Sequence, residues 1–267
     1  MHPYFDTPTP HLFAHRGASI EAPENTLVAF ERAWATGVLY LETDCHATRD
    51  GEIVILHDPE VACTTDGTGL IRELSFSEVE RLDAGFQFSP DGSRSFPYRG
   101  RGIRIPRLAE LLERFPEARI NLEIKPEDAD VTEEVVRIVR RAGAERRVLL
   151  ASDKDGILER VRALDAGTAL GSTLPDVVAF FQAFREGRVE RHQPRGHALQ
   201  VPPTFMGEAL VTRESVEAAH KVGLWMHIWT VNDPQEMLRL LECGVDGIMS
   251  DDPETLMAVV RKRRGAS

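Results

Sequence analysis

Short apolar runs alternate with amphipathic stretches of helical period along most of the chain, and this alternation restricts the fold more than any other feature. The runs are Leu12–Ala14, Tyr40–Ala47, Ile53–Leu56, Ile120–Ile124, Val148–Ala151, Ala169–Gly171, Ala198–Val201, Trp225–Val231 and Gly247–Met249. Between most of them lie helical segments: Thr26–Ala35, Leu108–Arg114, Val131–Arg141, Gly156–Leu164, Pro175–Arg185, Arg213–Val222, Pro234–Cys243 and Pro253–Arg263. Strands separated by helices pair in parallel through crossovers. Arg49-Asp50-Gly51-Glu52 joins two of the strand candidates, and an Asp-Gly pair there signals a hairpin. Ile53–Leu56 is then an antiparallel return strand, and eight parallel strands remain. The expected fold is α/β, a TIM (β/α)8 barrel with an extra β-hairpin and a small capping insertion. The 267 residues suit one such domain over 1–267, since these barrels take ~250 residues.

The insertion is the segment Thr64–Arg107, about 64–107, which is rich in Gly, Pro, Ser and aromatic residues and breaks the alternation. Long loops of this kind often lie over a barrel mouth. Leu74–Leu82 reads as a short helix within it, capped by Ser75 or Ser77. Its aromatics Phe86, Phe88, Phe96 and Tyr98 have two readings, an apolar wall for the leaving group or a satellite core under the insertion.

A net charge of −11 argues against a nucleic-acid partner. No apolar run approaches the ~20 residues of a membrane span, so no stable membrane anchor is expected. The three cysteines, Cys45, Cys63 and Cys243, are odd in number and show no disulfide or zinc spacing. Met1–Pro10 shows no apolar leader. The expectation is a cytoplasmic chain, monomer or homodimer.

Chemistry-bearing residues gather at strand ends, where barrels keep their active sites. They are His15-Arg16-Gly17, Glu42-Thr43-Asp44, His57-Asp58 and Glu123-Ile124-Lys125. Glu42 and Asp44 are two apart on a strand and so face the same way, as do Glu123 and Lys125. Carboxylates from neighbouring strands make an oxygen site for Mg²⁺ or Ca²⁺ rather than zinc. An alternative is a structural salt-bridge network of these acids with Arg16 and Lys125. His15 and His57 are candidates for general acid and base, because the ordinary pKa of an imidazole suits both roles at neutral pH. Arg16 can hold phosphate oxygens bidentately and Lys125 adds a point charge. Cations, histidines and a metal together suit phosphoryl chemistry.

These stretches resemble the glycerophosphodiester phosphodiesterase family. So do Ala22-Pro23-Glu24-Asn25-Thr26, Asp50-Gly51 with His57-Asp58, and Thr64-Thr65 with Gly67 and Gly69. Trp229-Thr230-Val231-Asn232 and Gly244-Val245-Asp246-Gly247-Ile248 with Asp252-Pro253 complete the series in the family's order. The resemblance implies one divalent cation, Ca²⁺ or Mg²⁺, held by Glu42, Asp44 and Glu123. It implies His15 and His57 as the acid/base pair, and Arg16 and Lys125 on the substrate phosphate. The implied reaction hydrolyses a glycerophosphodiester to an alcohol and glycerol 3-phosphate. A substrate hydroxyl attacks phosphorus first, and water opens the cyclic phosphate. The alternatives are a lysophospholipase D, towards which Asp44-Cys45-His46 tilts slightly, and a non-catalytic phosphodiester-binding barrel.

Other residues carry weaker readings. Trp229 reads as a substrate-pocket residue or as core. Asn25 reads as the cap of the first helix and a support of the site. Gln200 lies at a strand end. His2, His11, His192, His197, His220 and His227 match no motif and read as structural.

Overall fold

Eight strands run parallel, their outward faces packed through apolar side chains against the helices, and each is followed on the chain by a helix or connecting turn. In this computed structural model residues 2–126 and 129–265 are described. Met1 and residues 266–267, the ends of the expected 1–267 domain, lie outside the described residues. The strands are β1 (His11–His15), β2 (Tyr40–Ala47), β3 (Ile53–Ile55), β4 (Arg119–Ile124), β5 (Val148–Ala151) and β6 (Ala169–Leu170). They continue as β7 (Ala198–Val201), β8 (Thr204–Phe205), β9 (Glu208–Ala209), β10 (Trp225–Ile228) and β11 (Gly247–Ser250). The helices are α1 (Leu27–Ala35), α2 (Phe76–Val79), α3 (Leu108–Arg114), α4 (Ala129–Arg141) and α5 (Asp155–Ala163). After them come α6 (Leu174–Arg185), α7 (Arg213–Lys221), α8 (Pro234–Cys243) and α9 (Pro253–Gly265).

The sheet order is β6-β5-β4-β2-β1-β11-β10-β7, with β3 paired antiparallel on β2. A parallel bridge from Gly171 to Ala198 brings the two outer strands together, giving a nearly closed TIM-like barrel. Glycine is required at this seam: a Cβ on Gly196 would stand 2.3 Å from the Gly171 carbonyl oxygen. The Asp50-Gly51 turn forms the expected β2–β3 hairpin, with Gly51 at φ +86°. A second hairpin, β8–β9, has no counterpart in the sequence reading, and Met206 and Gly207 turn it with φ of +51° and +84°.

The main core lies between barrel and helices, built from residues such as Leu41, Ile120, Leu150 and Ile248. Helix ends follow local chemistry. Asp233 accepts from the Gln235 amide and Asp252 from the Thr255 amide, each just before the proline that opens α8 or α9. Thr26, not Asn25, caps α1, its hydroxyl accepting from the Ala29 amide. Asn25 instead takes a left-handed conformation, φ +56°, that frees its side chain for the site. Ser75 opens α2 through its amide, held by the Glu78 carboxylate at 2.8 Å.

The 64–107 segment packs its own satellite core against β3. Val54, Val61, Ile71, Val79 and Ile105 are buried there, with Tyr98 against them. Its aromatics do not line the main cleft, which corrects the apolar-wall reading. Arg99 lies over the Phe86 and Phe96 rings, and Phe88 meets Tyr98 edge-on. A guanidinium between two rings is a more favourable partner for them than open solvent.

Candidate active site

At the end of β1 the chain turns sharply through Arg16 (φ +55°) and Gly17 (φ +87°). A Cβ on Gly17 would fall 2.7 Å from Ala29, so only glycine lets the turn lie against α1. A non-glycine residue held in the left-handed region costs of order 1–3 kcal/mol and marks functional sites when the surroundings enforce it. Here they do: the Arg16 amide donates to the Glu42 carbonyl at 3.0 Å, and the Asn25 amide donates to the Arg16 carbonyl at 2.9 Å. The turn aims His15 and Arg16 into a cleft of about 930 Å³ at the C-terminal ends of the strands.

β2 and β4 supply the acids. Register pairs Glu42 with Asn121 and Asp44 with Glu123. Lys125, just past β4, reaches back so that its Nζ stands 3.0 Å from Asp44 Oδ1 and 3.0 Å from Glu123 Oε2. Arg16 pairs with Glu24 at 3.0 Å and lies 3.5 Å from Asp44 Oδ2. Its buried Nε has no hydrogen-bond partner. Asn25 donates to Asp44 Oδ2 at 3.3 Å and accepts from the Thr43 hydroxyl at 2.7 Å. Burial lowers the pKa of both cations, but the facing carboxylates outweigh it and hold them above their ordinary values. Burial, then the Asp44 charge, pushes Glu42 up to about 8.

Each histidine of the cleft is pinned through Nδ1 by a carboxylate. His15 Nδ1 is 2.7 Å from Asp251 Oδ1, and His57 Nδ1 is 3.2 Å from Asp58 Oδ1. With the proton on Nδ1, each Nε2 is left for the cleft. Burial lowers the His15 pKa, but Glu42 and the Asp251 hydrogen bond outweigh it and leave the pKa raised. Asp251 is itself fixed by Asn232, whose amide donates at 2.7 Å, and by the Ser19 hydroxyl at 3.0 Å. His46 meets neither a carboxylate nor the main cleft. Its Nε2 lies 2.9 Å from the His57 carbonyl, which makes it a donor bracing the His57 backbone.

Among the described residues no three His, Cys, Asp and Glu side chains are assembled to hold a metal ion. Instead the ammonium of Lys125 lies between Asp44 and Glu123, so the salt-bridge network read from the sequence is present. The donors nevertheless fit a hard ion: all are carboxylate oxygens, and a cation is already held between two of them.

The structure therefore brings His15, Arg16, Glu42, Asp44, His57, Glu123, Lys125 and Trp229 to one cleft. Gln200 also reaches it and donates to Asn121 at 2.7 Å. Sequence reading missed Asp251 and the role of Asn232, although Asn232 closes a quoted motif and Asp251 precedes one. Among the described residues no helix is long and apolar enough to cross a membrane. All three cysteines are free.

Comparison with known proteins gives a consistent picture. The profile described as the Glycerophosphoryl diester phosphodiesterase family matches residues 15–255. A glycerophosphodiester phosphodiesterase of Caldanaerobacter subterraneus is 32% identical over 94% of this chain and 98% of its own length. A crystal structure of a glycerophosphodiester phosphodiesterase from Agrobacterium tumefaciens superposes with a TM-score of 0.74 at 25% identity, covering 93% of this chain and 100% of that one. A phosphodiesterase of Oleispira antarctica, solved with the product sn-glycerol-3-phosphate, superposes at 0.79 with 27% identity, covering 98% and 100%.

Proposed function

Given that this chain belongs to the glycerophosphoryl diester phosphodiesterase family and is a phosphodiester hydrolase, we propose that it cleaves glycerophosphodiesters to an alcohol and glycerol 3-phosphate by histidine acid/base catalysis with one divalent cation, Ca²⁺ or Mg²⁺. The observation that carries this reading is the pair of imidazoles, each pinned at Nδ1 by a carboxylate, beside two cations in one cleft. The bound product of the Oleispira relative supports glycerol 3-phosphate as the product here. The whole barrel acts as one domain.

Arg16 and Lys125 bind the phosphate oxygens, the unpartnered Arg16 Nε offering one donor without loss of an existing hydrogen bond. One imidazole Nε2 takes the proton of the attacking hydroxyl, and the other returns a proton to the departing alcohol oxygen. Asp251 and Asp58 hold both rings in the tautomer that this exchange requires. Glu42, Asp44 and Glu123 would hold the divalent cation, which supplies charge stabilisation to the phosphoryl oxygens when bound. With the cation held there, Lys125, which pairs with Asp44 and Glu123 in this structure, would be free to turn to the substrate phosphate. Trp229, 43% exposed on the cleft wall, packs against bound substrate.

Product analysis tests the reading. With glycerophosphocholine and added Ca²⁺ or Mg²⁺, the expected products are choline and glycerol 3-phosphate. Phosphocholine and glycerol would mean that the other P–O bond breaks and would overturn it.

A further inference from the structure

Four of the eight large apolar side chains that stand exposed among the described residues form one patch along the cleft. On α6 they are Leu174, 60% exposed, and Val178, 57% exposed. On the β8–β9 hairpin they are Phe205, 58% exposed, and Met206, 89% exposed at the turn. Between helix and hairpin runs an apolar groove, with Phe181 and Leu210 also on its walls. An amphipathic helix ordinarily turns such a stripe to the core. The hairpin is a two-stranded sheet joined to no other described strand, and an isolated hairpin is marginally stable in water. Both elements therefore present apolar surface that no described residue covers.

Two charges frame the patch. Arg185, one turn beyond Phe181 on α6, lines the groove, and Glu208 stands on β9 beside the turn. Both are exposed, and neither side chain makes a hydrogen bond or ion pair with a described residue.

We propose that this face is the contact between two copies of the chain, related by a twofold axis. The hairpin tip of each copy, Phe205 and Met206, seats in the groove of the other beside Leu174 and Val178. A twofold contact uses every surface twice, so Arg185 of one copy meets Glu208 of the partner subunit, and the reverse pair forms as well. The area agrees with this occupant. With full surfaces of roughly 150–200 Å² each, the four side chains leave on the order of 500 Å² in solvent. A homodimer interface takes roughly 800 Å² per partner, about 65% of it apolar, which is the same amount. A bilayer would desolvate Arg185 and Glu208 unpaired, at a cost that a second copy avoids. The dimer leaves the active site open, because His57, Glu123 and Lys125 also line a second, polar cavity of about 1090 Å³.

Sedimentation equilibrium with charge-reversed variants tests the contact, with the circular dichroism melt as the check on folding. Wild type should be dimeric at about 100 μM. Arg185→Glu alone and Glu208→Arg alone each set like charges opposite one another twice per dimer. Each should weaken dimerisation by at least about tenfold. The double variant Arg185→Glu, Glu208→Arg restores opposite charges at both places and should recover the wild-type dimer. A Val178→Gln, Phe205→Gln variant should be a monomer. A monomeric wild type at that concentration overturns the proposal. So do single reversals that leave the dimer intact, or a double variant that stays as weak as the singles. A monomeric wild type that floats with phosphatidylcholine vesicles, and stops doing so with Val178→Gln, Phe205→Gln, would make the patch a membrane contact instead.

Discussion

Two pairs of histidines stand at opposite ends of the same barrel, and their surroundings make them opposite in kind. His11 and His227 lie at the N-terminal end, fully buried, their rings 3.3 Å apart between Nδ1 and Nε2. Tyr40, Phe5 and Trp225 pack around His11, and Phe13 around His227. Burial holds His11 down to about 4 and His227 well below its ordinary value, with Arg119 adding to the effect on His11 and His11 to that on His227. At the C-terminal end His15 and His57 each keep a carboxylate on Nδ1 and an open face on the cleft. An imidazole becomes a packing group or a proton carrier according to whether burial or a paired carboxylate dominates. A barrel separates the two uses in space, one end for stability and the other for chemistry.

The strongest way to break this contrast is His57→Ala. Turnover of glycerophosphocholine should fall by about 10³-fold, while the circular dichroism melt stays that of the parent. A retained rate would mean that the upper pair is as structural as the lower one.

The lower pair answers to pH through stability. Their folded pKa values lie below the unfolded value of about 6.5, so as pH falls the unfolded chain takes up protons first. The stability they contribute is present above about pH 6.5. The His11 share is lost as pH falls through the window down to about 4. For His11 this amounts to of order 3 kcal/mol. Urea melts between pH 7 and pH 4 should show it, and the double change His11→Phe, His227→Phe should flatten that slope. An unchanged slope would remove the lower pair from the account of acid sensitivity.

Asp251→Asn sharpens the comparison at the upper end. It keeps the shape of the side chain but weakens the hold on His15, and kcat should fall by about tenfold to a hundredfold with KM nearly unchanged. A fall matched by loss of stability would make Asp251 a packing residue. The smallest effect belongs to the satellite core. Arg99→Ala should cost about 0.5–1 kcal/mol and leave turnover alone, because its rings lie away from the cleft. A change in KM would return the 64–107 segment to the substrate wall.

Much of this architecture was legible because local signals agreed with it. The apolar runs recur as the eight parallel strands, and Asp50-Gly51 marks the one antiparallel return. Glu42 with Asp44, and Glu123 with Lys125, were legible as same-face pairs because the strand period is two. What stayed hidden depends on closure. His15 and Asp251 are 236 residues apart and meet because β1 pairs with β11. The β8–β9 hairpin has two residues per strand, too few for a periodic signal, and it turns on Met206 in a conformation that favours Gly or Asn. The exposure of Leu174 and Val178 on the cleft side of α6 was hidden too, because an exposed stripe has the same sequence pattern as a buried one.

The measurement that bears most directly on the upper cluster is release of glycerol 3-phosphate from glycerophosphocholine in excess EDTA, followed by addition of Ca²⁺ or Mg²⁺ in turn. Release stopped by EDTA and restored by one of the two ions is the expected result, and it would join Glu42, Asp44 and Glu123 to the chemistry of the histidines. Release undiminished by EDTA would leave those carboxylates as the salt-bridge partners of Arg16 and Lys125 alone. No release with either ion would contradict the proposed reaction.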